Sequence, residues 1–174
     1  MGIQFETDYN METLTAMAKG LRKTVRKKRS RRVHIFAAVV LILGLLTILA
    51  TTAGGEPLGA SGVVTLLAML VVILVTVFED RLNAWFARKR LLPGTEHAVA
   101  TFEEDGYVSA TSMSESKFSY AQIVAVAEMA RYFVFALSSH HTQAYDKRTI
   151  RGGSVEDFRA FIAEKTGKLV ENIK

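Results

Sequence analysis

The 174 residues include no cysteine, only two prolines and a single tryptophan. Lacking cysteine, the chain has no disulfide framework, no thiol nucleophile and no thiolate-held metal or iron–sulfur site. Pro57 and Pro93 are far apart, so long stretches carry no helix breaker. Charge is also missing over a long segment: from Val33 to Phe78 the one Asp, Glu, Lys or Arg is Glu56.

The rest of the composition is ordinary. Apolar residues make up 49% and charged residues 22%, which excludes disorder and low complexity for most of the chain. This length accommodates one or two small domains and no large multidomain enzyme. The net charge of +5 is unevenly distributed: residues 1–32 sum to +6, residues 33–78 to −1 and residues 79–174 to zero. All of the basicity behind the sequence pI of about 9.6 therefore belongs to the N-terminal arm.

The uncharged segment holds two hydrophobic runs, 33–53 and 58–78, separated by Gly54-Gly55-Glu56-Pro57. Each is about 20 residues long, which at ~1.5 Å rise per residue matches a hydrocarbon core of ~30 Å. A buried pair of soluble helices is the competing reading, but the remaining chain is too small to cover two helices apolar all round. The expectation is a two-helix transmembrane hairpin. Arg22, Lys23, Arg26, Lys27, Lys28, Arg29, Arg31 and Arg32 precede the first run, Arg81, Arg88, Lys89 and Arg90 follow the second, and the connecting turn has neither Lys nor Arg. The positive-inside rule then places both termini in the cytoplasm of a multi-pass cell-membrane protein. A cleaved signal peptide fits poorly, because the run is longer than an h-region and no A-x-A-like site follows it. The start Met1-Gly2-Ile3-Gln4-Phe5-Glu6 lacks the Ser or Thr of a myristoylation motif. With no carboxylate, Lys or Arg inside either run, a transporter or pump is disfavoured. A small channel is weakened by the lack of polar pore-lining residues. Ala50 and Gly54 form a small-x-x-x-small pair, a weak helix-packing signal.

The N-terminal arm reads as a short strand, Ile3 to Glu6, then a helix capped by Asn10 with apolar positions Met11, Leu14, Ala18, Leu21 and Val25. No proline intervenes, so the periodicity predicts a helix continuing into the first span. Lys27, Lys28, Arg29, Arg31 and Arg32 at its end have two principal readings. One is orientation alone; the other is contact with anionic lipid headgroups, at ~1 kcal/mol per cation near the surface. Nucleic-acid binding is not expected, since no groove-reading motif or interleaved aromatics accompany the cations. Residues 79–94 read as a helical extension with Trp85 as an interfacial anchor, ended by Pro93-Gly94.

Residues 95–174 read as a small α+β domain. Two strand-like runs flank Glu103-Glu104-Asp105-Gly106, a third covers Phe118-Ser119-Tyr120, and two more span Ile123–Glu128 and Tyr132–Leu137. A further strand from Thr142 to Tyr145 follows the His140-His141 corner. A helix capped by Ser154 and stopped by Gly167 ends the domain, with Val155, Phe158, Phe161, Ile162 and Lys165 on one side. The Ile3–Phe5 strand is expected to add to this sheet, because a lone short strand is only marginally stable.

No catalytic set, cofactor site or metal site emerges. His34 sits at the edge of the first run, His97 is isolated, and His140 and His141 are adjacent, so on a strand they would point to opposite faces. Glu103-Glu104-Asp105 reads as a solvated hairpin tip, and Gly152-Gly153-Ser154 as a helix cap in preference to an anion cradle. Lys147, Arg148 and Arg151 make a local positive spot that suits an anionic headgroup or acidic partner, against the plainer reading of solvation with contact to Asp146.

The hairpin at Glu104-Asp105-Gly106, the step Phe118-Ser119-Tyr120-Ala121-Gln122-Ile123, the strand Tyr132-Phe133-Val134-Phe135, and Lys147-Arg148 ahead of a helix with Phe158 resemble the C-terminal domain of YcxB-like bacterial membrane proteins. The likeness runs over nearly the whole chain, including the N-terminal strand and helix and two spans, through short and degenerate motifs. It implies a small pleckstrin-homology-like fold with no established biochemical activity. Asp146 stands where that family typically has proline. The resulting expectation is a bacterial inner-membrane protein with a non-enzymatic binding, sensory or scaffolding module, partnered by the bilayer and by itself or another membrane protein. The alternative is a subunit of a membrane enzyme or small channel whose site forms only on oligomerisation.

Overall fold

The computed structural model describes residues 2–55 and 57–173; Met1, Glu56 and Lys174, including the one charge of the uncharged segment, lie outside the described residues. The chain divides into two compact units, residues 28–82 and a second made of residues 1–27 together with 83–174.

The larger unit is α+β. Strand β1 (Ile3–Asp8) is followed by helix α1 (Met11–Lys23). Asn10 caps α1, its side-chain oxygen accepting from the Glu12 and Thr13 amides at 2.9 and 3.0 Å. The helix does not run on into the next one. Its last turn closes at Thr24, whose hydroxyl and amide both bond to the Gly20 carbonyl. Arg26 donates its amide to Leu21 and its Nε to the Ser139 carbonyl at 2.6 Å. Gly20 lies so close to the sheet that a Cβ there would meet Val134 at 2.8 Å, which fixes the end of α1. The buried face keeps Leu14 and Leu21 of the expected stripe and adds Thr13 and Gly20, whereas Met11 and Ala18 are only partly covered.

Strands β2 (His97–Phe102), β3 (Tyr107–Thr111) and β4 (Glu115–Phe118) form an antiparallel sheet with β1, in the order β1-β2-β3-β4. β1 pairs along its full length with β2, from Ile3 opposite Phe102 to Asp8 opposite His97. The N-terminal strand is therefore an integral edge of the sheet. Strands β5 (Ala125–Glu128), β6 (Tyr132–Ala136) and β7 (Thr142–Asp146) form a second antiparallel sheet. A short strand β8 (Val170–Asn172), which follows the last helix, joins the edge of β5 in parallel. Nothing in the local pattern of Val170-Glu171-Asn172 announces it. The expected third strand ends at Phe118, and Tyr120–Gln122 is instead a 3₁₀ turn capped by Ser119.

The two sheets enclose an aromatic core. Phe5, Phe102, Tyr107, Phe133, Phe135 and Phe158 are almost wholly buried, with Phe5 edge-on to Phe102 at 5.8 Å and to Phe158 at 4.6 Å. The last helix is α5 (Val155–Thr166), and it seats Phe158 and Ile162 in this core. Its Ser154 cap accepts from the Asp157 amide at 3.0 Å, and Gly167 ends it in the left-handed conformation. The edge of β1 is tied to the segment before α5 through paired bonds between Gln4 and Arg151, each 2.9 Å.

The smaller unit contains most of helix α2 (Lys27–Ala53), all of helix α3 (Ala60–Val77) and the start of helix α4 (Glu79–Lys89). α2 and α3 are both long and apolar enough to cross a membrane. Among the described residues only Ala37 of α2 and none of α3 is buried. Their close approach is at Gly44, where a Cβ would meet the Met69 sulfur at 2.8 Å. These two residues are similarly far from the connecting turn, so the pair runs antiparallel. Gly54 by contrast faces only its own helix, and the expected Ala50–Gly54 pair is not the close contact.

Candidate functional site

The expected cationic positions fall into two classes. Lys27, Lys28, Arg29, Arg31 and Arg32 are all exposed and occupy the first turns of α2, which has no acid in its first turn. Cations at a helix N-terminus oppose the macrodipole by ~0.3–1 kcal/mol each. Helix stability therefore does not account for this cluster.

Lys147, Arg148 and Arg151 behave differently, since each is matched to an acid of the same unit. Lys147 is largely covered, with Nζ 2.8 Å from Glu128 Oε1 and 5.2 Å from the Phe133 ring centre. Arg148 reaches the Asp146 carboxylate at 3.0 Å and Arg151 reaches Glu6 at 3.0 Å. Asp146 also caps the following turn by accepting the Arg148 amide at 3.0 Å, the work its residue type does well at that turn.

Two buried carboxylates organise this end of the second sheet. Glu128 of β5 accepts from Lys147 and, through two bonds of 2.5 and 2.7 Å, from Arg159 of α5. Arg159 in particular holds its carboxyl down at about 2, with burial opposing and Lys147 assisting. Asp146 of β7 is bound by Arg131 at 2.9 and 3.0 Å and by Arg148. Burial pushes the Asp146 carboxyl up, and the two guanidiniums outweigh it to leave a net downward shift. Arg131 also pairs with Glu12 of α1. The network thus clamps α1 and α5 to the sheet, a structural use of charge that contiguous sequence did not reveal.

The histidines do not converge. His34 contacts the Ser30 carbonyl at 2.8 Å, His97 pairs with Asp8 at 2.7 Å, His140 meets Ser139, and the His141 ring lies edge-on to Phe118 at 6.3 Å. Among the described residues no group of three or more His, Asp or Glu is placed to hold a metal ion. At the acidic hairpin tip, Glu104 pairs with Lys165 of α5, and Tyr120 bonds to the carbonyls of Glu103 and Gly106 at 2.6 and 3.0 Å. Gly152 is fitted against the Gly2 backbone with φ +82°, so the Gly-Gly-Ser segment closes the fold around β1.

No sequence motif marks a cleft of about 290 Å³ in the larger unit, bounded by Tyr9, α1, the loop before β2, the inner face of β3–β4 and the start of β7. The register explains it. One inward row across the first sheet is Ile3–Phe102–Tyr107–Phe118; the next begins with Phe5 on β1 but continues as Ala100–Ser109–Ser116, and Ala98 stands opposite Thr111 beyond it. Phe5 fills the β1 end of the second row, and space is left only over the small residues toward β3 and β4. Gln143 is buried at this cleft, and its Oε1 accepts the Tyr107 and Tyr145 hydroxyls, each at 2.7 Å. Burial raises both phenols well above the usual range, keeping them protonated as donors. The signal was present in the sequence as Ser and Thr at inward positions of β3 and β4, but only pairing shows that these positions share a row.

Comparison with known proteins gives no further guide. The chain matches no family model, no curated protein and no solved structure.

Proposed function

We propose that the chain is an integral membrane protein in which α2 and α3 cross the bilayer as a hairpin, with both termini and the α+β unit on the cytoplasmic side. The α+β unit serves as a non-enzymatic binding, sensory or scaffolding module, and the basic start of α2 contacts anionic lipid headgroups. One observation carries the membrane reading: between Val33 and Phe78, twenty-one large apolar side chains are exposed, Phe36 by 70% and Leu67 by 56%. Leaving such a side chain in water forfeits ~1.5–3 kcal/mol, so the total is tens of kcal/mol against a usual folding stability of ~5–15 kcal/mol. A hydrocarbon environment removes that deficit. The orientation rests on the cations flanking both helices and absent from their connection.

Four antiparallel strands, three more antiparallel strands and a C-terminal helix packed in the core support a pleckstrin-homology-like reading of the unit, and with it the resemblance to YcxB-like proteins. Insertion of α1 to α4 between β1 and β2, and the added strand β8, are departures from a plain version of that plan. For lipid contact the reading rests on Lys27, Lys28, Arg29, Arg31 and Arg32, because Lys147, Arg148 and Arg151 are already paired with Glu128, Asp146 and Glu6.

The absence of native cysteine makes the topology directly testable. In intact cells a membrane-impermeant maleimide should label Gly59→Cys and should reach Ser139→Cys only after lysis. Labelling of Ser139→Cys in intact cells, or recovery of the chain in the soluble fraction, would overturn the topology. Replacing the five α2 cations by glutamine should deplete anionic lipid from the purified protein, and unchanged lipid content would remove the headgroup role.

A further inference from the structure

We infer that the cleft between the sheets is a binding site for an uncharged, oxygen-rich small molecule about the size of one sugar ring, of the class of neutral sugars and cyclic polyols. This rests on the reading of the α+β unit as a binding module, and it holds whichever way the hairpin is oriented.

The first ground is an amide donor that the fold leaves free at the cleft wall. Gln143 is 7% exposed, and its amide oxygen is already engaged by two phenol hydroxyls. Its amide nitrogen makes no hydrogen bond among the described residues, yet no fully buried side-chain nitrogen or oxygen there lacks a partner, so the nitrogen is open to the cleft that Gln143 lines. A ligand hydroxyl or carbonyl oxygen supplies its acceptor. The hydroxyls of Ser109 and Ser116, also on the cleft wall, make no side-chain hydrogen bond among the described residues and can both donate and accept.

The second ground is the character of the walls. Among the described residues no Asp, Glu, Lys or Arg lines the cleft, and the one histidine there, His141, is exposed, so a charged ligand meets no fixed counter-charge inside. That disfavours phosphorylated or amino-bearing ligands. Opposite the hydroxyl row stand Leu14 and Met17 of α1 with Leu91. A sugar or cyclic polyol has this same two-sided chemistry, with C–H groups on its faces and hydroxyls around its edge. The volume of about 290 Å³ suits one ring.

The third ground is that the space is built in. Ala98, Ser109 and Thr111, with the exposed Ser116 at the cleft mouth, occupy the sheet face that an aromatic row fills one step along the same strands. Larger residues there would complete the core.

The test uses the full-length protein in detergent and saturation-transfer NMR with glucose, N-acetylglucosamine and myo-inositol, against glucose 6-phosphate and glucosamine as charged counterparts. At least one neutral probe should bind, and the charged ones at least tenfold more weakly. Ser109→Leu fills the cleft and should weaken that binding at least tenfold with the thermal midpoint retained. Gln143→Glu keeps an oxygen for the two phenols, removes the amide donor and should have the same effect. Should Gln143→Glu not fold, Ser116→Leu takes its place. Absence of binding by all three neutral probes, equal binding by Ser109→Leu, or glucose 6-phosphate binding as tightly as glucose would each overturn the inference. None of these outcomes bears on topology, which is read by labelling in cells.

Discussion

The carboxylate of Glu128 offers a sharp check on how the larger unit is held together. It is 6% exposed and bound by Lys147 and Arg159, so its folded-state value falls to about 2 from 4.5. The folded state therefore binds its proton less readily than the unfolded chain. The resulting stabilisation is fully present above pH 4.5 and is lost as pH falls toward 2. The full shift corresponds to about 3 kcal/mol. Arg159 is 40% exposed, so solvent screening reduces this to about 2 kcal/mol. Glu128→Gln should accordingly cost about 2 kcal/mol at pH 7, and less than half of that difference should remain at pH 3. The assay is urea unfolding of wild type and variant, followed by near-ultraviolet circular dichroism from pH 7 to pH 3. The Asp146 carboxyl is also shifted down, but it is present in both proteins and cancels in their difference. A wild-type-to-variant difference that stays constant from pH 7 to pH 3 would refute the assignment of the charged clamp.

Phe5 touches Phe102, Phe133, Tyr145 and Phe158, so Phe5→Ala should cost about 3–5 kcal/mol; a loss below about 1 kcal/mol in urea unfolding contradicts the central placement of β1. For the same reason residues 95–174 alone should lack dispersed amide NMR signals, and adding a peptide of residues 1–23 should restore them. Gly152→Ala meets both a positive φ and the Gly2 carbonyl oxygen, and should lower stability by at least about 1–2 kcal/mol in thermal unfolding. Ser154→Ala removes the cap of α5 and should cost about 1 kcal/mol, read from the same transition.

Local sequence patterns located most of the elements. Asn10, Ser154 and Gly167 marked helix ends because capping depends on one side chain or one φ angle. The apolar runs defined α2 and α3, since helix length and hydrophobicity are properties of contiguous residues. The alternation of Ile3-Gln4-Phe5 announced a strand for a similar reason. The break at Thr24 was not visible, because it depends on Gly20 lying against Val134 and Arg26 reaching Ser139, both far along the chain.

By itself, then, the sequence determined which segments are helix or strand, where the charge is concentrated, and that two segments are long and apolar enough to cross a membrane. Tertiary structure decided how those segments register. It placed β1 beside β2 although Asp8 and His97 are 89 positions apart, and it brought Glu128, Lys147 and Arg159 from β5, the turn after β7 and α5 to one buried point. It also set small residues of β2, β3 and β4 in neighbouring rows, which opened the cleft beside Gln143. Periodicity records which face of an element is buried; only pairing between elements settles what that face meets, because strand register fixes each side chain's neighbours across the sheet.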